Sequence, residues 1–71
     1  MKLWLSSELK KVMSISKMGF EIRIDKHNNG QFIVTNHKGQ QQSFHDFLRA
    51  RSVFDMSLEF AEKEVNVQQE Q

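Results

Sequence analysis

Between Phe20 and Asp25 apolar and charged side chains alternate without a break, Phe20, Ile22 and Ile24 against Glu21, Arg23 and Asp25. A period of two sends successive side chains to opposite faces of an extended strand, so this stretch demands a sheet with one buried surface. Asn28-Asn29-Gly30 then supplies a three-residue hairpin loop whose last position takes positive φ. With those residues in the loop, a second strand over 31–37 sets Ile24 opposite Val34 and Lys26 opposite Phe32. Phe20, Ile22, Ile24, Phe32 and Val34 then share one face, whereas a two-residue loop would oppose Asp25 to Val34 and spoil it. His37-Lys38-Gly39 repeats the loop pattern and predicts a third strand over 40–44, with Phe44 facing Phe32.

The flanking segments read as helices. Leu5, Leu9, Val12 and Met13 recur at helical spacing, with Ser6 or Ser7 placed to cap, which predicts a helix over 7–16. At the other end Ser43 caps a helix start with Asp46 at its third position. Beyond it, Phe54, Met56, Leu58 and Phe60 alternate with Asp55, Ser57 and Glu59, as a strand would. At 100° per residue, however, Phe47, Ala50, Val53, Phe54, Leu58, Phe60, Ala61 and Val65 gather on one side. Arg51 with Asp55 and Glu59 with Lys63 are opposite charges four residues apart, and no glycine or proline interrupts 40–71. These features select one long helix, with Ser52 as a possible kink. The expected architecture is α+β in the order α-β-β-β-α, a three-stranded antiparallel meander packed on one face by two helices. Residues 1–66 form one small domain and 67–71 a frayed polar tail.

Seventy-one residues at 38% hydrophobic content hold one small core, of the kind that seldom supplies more than about 3–5 kcal/mol unaided. Disulfides and thiolate metal sites are excluded because there is no cysteine. The N-terminal apolar run, Leu3-Trp4-Leu5, is far shorter than a signal sequence or a membrane span, which gives the expectation of a cytoplasmic chain that contacts no membrane. Trp4 either anchors a partner or closes the core. His27 and His37 fall in loops at opposite ends of the second strand and cannot share a metal ion. The serines have capping or surface roles, and glycines 19, 30 and 39 are too dispersed to cradle a phosphate. The chain is therefore expected to be no enzyme, to need no cofactor or metal, and to take no small-molecule substrate.

Charge and shape point to macromolecular contact. Residues 1–51 carry nine Lys or Arg against four acids, and residues 52–71 one Lys against five acids. A helix of about 20 residues reaches about 30 Å, more than strands that span about 17–20 Å. Its apolar overhang would be left in water without a partner, most simply a second copy. Phe54, Leu58, Phe60 and Val65 are the expected association residues, with Arg49 and Arg51 beside Asp55 and Glu59 selecting charge. The leading expectation is a small regulatory binding protein, homodimeric or bound to another protein, a kind common among phage and mobile-element accessory proteins. The alternative is a nucleic-acid binder.

That alternative is carried by two resemblances. The layout, with Lys10, Lys11, Lys26, Lys38, Arg49 and Arg51 in its basic portion, resembles the double-stranded-RNA-binding fold, although Ser43-Phe44-His45-Asp46-Phe47 lacks that family's basic cluster at the last helix. Ser7-Glu8-Leu9, Met18-Gly19-Phe20-Glu21 and His37-Lys38-Gly39 also resemble the HicA-type toxins, small messenger-RNA ribonucleases. Their catalytic histidine follows a Gly-Ser pair, where this chain has Gly30, Gln31 and Phe32, so the activity is not carried over.

Overall fold

The computed structural model describes residues 8–69, with the side chains of 67–69 left out. The chain builds a four-stranded antiparallel sheet from β1 (Leu9–Lys17), β2 (Phe20–His27), β3 (Phe32–Thr35) and β4 (Gln41–Phe44), in that spatial order, and then the helix α1 (Phe47–Gln69). The fold is α+β. Trp4, the caps at Ser6 or Ser7, and residues 70 and 71 of the tail lie outside the described residues. The helix backbone reaches Gln69, inside the segment expected to fray.

The meander holds the predicted register. Ile24 pairs with Val34, Lys26 with Phe32, and Phe32 with Phe44. Its two loops share one pattern of hydrogen bonds. The amide of His27 donates to the Gln31 carbonyl at 2.8 Å and that of Asn36 to the Gln40 carbonyl at 3.0 Å, with Gly30 (φ 94°) and Gly39 (φ 81°) at the equivalent position. Residues 53–61 are helical, as the 100° periodicity predicts, and the helix runs without a break through Ser52.

The expected helix over 7–16 is the correction. Leu9–Lys17 is a strand, so among the described residues four strands replace three and one helix replaces two. The helical spacing of Leu9, Val12 and Met13 comes from a β-bulge. Lys11 pairs with Asp25 and Met13 with Ile24, which leaves Val12 as the extra residue, 44% exposed. The bulge shifts the alternation by one residue, so Lys10 lies on the helix side before it and Met13 and Ile15 after it. The double-stranded-RNA-binding layout needs a helix ahead of the meander, where Leu9–Lys17 is a strand.

β1 turns into β2 through Met18 (φ 53°) and Gly19 (φ 82°), a two-residue loop with both centres left-handed. Met18 is the only described non-glycine residue at positive φ, and the left-handed region costs an ordinary L-residue about 1–2 kcal/mol. Met18→Asn, which tolerates that region, is expected to stabilise the protein by about 0.5–1 kcal/mol. That raises the melting temperature by about 4–8 °C per kcal/mol in a domain of this size. An unchanged or lower melting temperature would contradict the turn geometry.

The core lies between the sheet and α1. Ile22, Ile24, Val34, Ala50, Phe54 and Ala61 are buried together, and Met13, Ile15, Phe20, Phe32, Phe44, Phe47, Val53 and Leu58 pack around them. On the other face of the sheet Ile33 and Asp25 are also shut off from water. Arg23 clamps Asp25 with two bonds, Nε to Oδ2 at 2.9 Å and Nη2 to Oδ1 at 2.7 Å. Bonding to that carboxylate holds the guanidinium pKa above its ordinary value, against the opposing pull of partial burial.

Candidate interaction surface

α1 begins at Phe47, later than Ser43 would start it, because Ser43 and Phe44 remain in β4. Asp46 caps it instead. Its carboxylate accepts from the Leu48 amide at 3.2 Å and its carbonyl from the Ala50 amide at 3.2 Å. Phe47 meets Phe32 edge-on, with centroids 5.4 Å apart, which ties the helix start to the end of the sheet beside the β2–β3 loop.

From there the helix divides into three faces. Ala50, Phe54 and Ala61 turn into the core. One flank carries Arg51 paired with Asp55 at 3.2 Å, and Glu62 bonded to Lys17 of β1. The other flank, over β4, carries Val53, Met56 and Phe60, where Met56 is 68% and Phe60 55% exposed. Between this flank and the β3–β4 hairpin runs an open groove of about 370 Å³, lined by Val53, Met56, Ser57 and Phe60 on one side and by Gln40, Gln42 and the 36–38 loop on the other.

His37 closes one end of the groove. Its Nε2 lies 2.6 Å from Glu64 Oε2, and its ring stands 6.1 Å from both Phe20 and Phe60. Its Nδ1 is buried with no hydrogen-bond partner among the described residues. Lys38 Nζ sits 3.7 Å from Glu64 and over the Phe60 ring at 5.7 Å. His27 bonds Glu8 at 2.6 Å at the far end of β2. Among the described residues no three His, Asp or Glu side chains converge on a possible metal position, and no helix is long and apolar enough to cross a membrane.

The residues expected to associate are thus divided. Phe54 is 3% exposed and belongs to the core, so it has no surface left for a partner. Leu58 packs against that core and Val65 is half-buried. Phe60 stands exposed, and Glu59 pairs with Lys63 at 3.8 Å. Arg49 and Arg51, two residues apart on a helix, point to different flanks. Met56 and Val53 were not among the expected association residues. An apolar stripe read from one chain does not separate the part its own sheet covers from the part left over. The arrangement defines a small α+β protein with a groove beside an open sheet edge. Compared with known proteins, it matches no family model, no curated protein and no solved structure.

Proposed function

We propose that this chain is a small non-enzymatic binding protein that acts by protein–protein contact, and that its first partner is a second copy of itself. The observation that carries this reading is the contrast between the two edges of the sheet. β1 is guarded by a bulge and by Lys10, Lys11 and Lys17, devices that discourage strand pairing. β4 is Gln41-Gln42-Ser43-Phe44, with no charge and no bulge, and its first three residues are exposed.

An antiparallel strand added along β4 would extend the sheet beside the groove, where Met56 and Phe60 would cover its inward side chains. A second β4 suits that place because two uncharged strands meet about a two-fold axis with no repulsion, and each flank then meets its own copy. Sealing two exposed apolar side chains per chain adds support that so small a core needs.

Sedimentation equilibrium over a wide concentration range tests this directly. The expected result is a dimer that Met56→Glu with Phe60→Glu converts to a monomer of unchanged helical circular dichroism, since both side chains already face water. A wild-type monomer at every concentration overturns self-association, and a double variant that stays dimeric overturns the surface.

A further inference from the structure

We infer that the end of the sheet beside the start of α1 is a second binding site, one that takes the phosphate backbone of a single-stranded nucleic acid. The inference starts from the distribution of ion pairs. Lys17, Arg23, Lys38, Arg51 and Lys63 each lie within 4 Å of a carboxylate. Lys10, Lys11, Lys26 and Arg49 have no such partner among the described residues; Lys10 and Lys26 are paired near the β2–β3 loop, Arg49 lies in the first turn of α1 at that end, and Lys11, opposite Asp25, is on the other face of the sheet.

The register shows how. Lys10 pairs with Lys26, Lys26 with Phe32 and Phe32 with Phe44, one row of side chains across all four strands on a single face. Arg49 continues it, in a shallow cleft lined also by Ser43, Phe44, His45 and the acidic Asp46. The acids nearby are committed elsewhere, since Asp46 caps the helix, Glu8 bonds His27 and Asp25 is clamped by Arg23.

Two features select the ligand. Lys10 and Lys26 are directly opposite, and like charges so placed repel and destabilise a sheet. A phosphate between them reverses the sign of that interaction. The cations also border rings at the rim of the core: Lys26 lies over Phe32 at 5.7 Å, and Phe32, packed by Phe47, and Phe44 are each half-buried and leave part of the ring to solvent. Cations beside partly exposed ring surface suit a phosphate chain whose bases can lie against it. With strands about 4.8 Å apart, the row spans about 14 Å, long enough to meet more than one phosphate of a single strand. The positive end of the helix dipole adds to the field.

Fluorescence anisotropy with a short single-stranded oligonucleotide at a series of salt concentrations reads the site. Three phosphate contacts, from Lys10, Lys26 and Arg49, predict a slope of log affinity against log salt of about −2. Lys10→Ala with Lys26→Ala is expected to flatten the slope by about 1.4 while leaving the melting temperature unchanged or higher, because the variant removes a repulsion. Binding that ignores salt, or a double variant that binds as the wild type does, overturns the proposal. So does equal competition by polyglutamate, which would assign the site to an acidic protein, or by inorganic phosphate at similar concentration, which would reduce it to a small-anion site.

Discussion

Phe54→Ala is expected to leave the protein unfolded at 25 °C. The ring is 3% exposed and packs with Ile22, Ile24, Val34, Ala50 and Ala61 in the layer that joins helix to sheet. Truncating a buried phenylalanine costs about 3–5 kcal/mol, because transfer energy is lost and a cavity remains. A chain this small has about that much stability in total. Far-ultraviolet circular dichroism and urea titration check the result, with Met56→Ala as the control that should melt like the wild type. A cooperative Phe54→Ala transition within about 1 kcal/mol of the wild type would show that α1 does not pack as described.

The second large effect lies on the opposite face of the sheet. Arg23→Met leaves the Asp25 carboxylate, 2% exposed, without its bidentate partner. Removing one member of a fully buried pair costs about 3–5 kcal/mol. Arg23 is itself 38% exposed, so water replaces part of what is lost and about 2–3 kcal/mol is expected. Combining Arg23→Met with Asp25→Val should recover most of the loss, since a β-branched apolar residue beside Ile33 needs no counter-ion. Urea midpoints of the two variants decide it, and equal stability for both would mean that the pair contributes little.

The meander was legible residue by residue because each piece of information it needs is local. The alternation from Phe20 to Ile24 chooses the buried face, and the glycines at 30 and 39 set the loop lengths. A register slip of one residue would turn every apolar side chain outward. The identity of α1 was legible for a similar reason, since its apolar positions and its four-residue charge pairs both follow the helical period. β1 was not. One extra residue at Val12 breaks the alternation and leaves a spacing that imitates a helix, while Met18-Gly19 lacks the Asn-Gly signature usual for a turn with two left-handed residues.

Of the candidate surface, Phe60 was visible in the sequence and the groove was not. The apolar side of α1 could be listed from periodicity, but only docking onto β2, β3 and β4 decided that Phe54 is enclosed and that Phe60, with Met56, remains outside. The same holds for charge. Composition shows a basic first portion, and docking of α1 decides that Lys17 and Lys38 meet Glu62 and Glu64, while strand register sets Lys10 opposite Lys26 without a counter-ion. The sequence by itself determined the strands of the meander, their register and the helical period, because those depend on neighbours a few residues apart. Tertiary structure alone decided which surfaces stay uncovered, because burial and ion pairing depend on side chains from distant parts of the chain meeting in space.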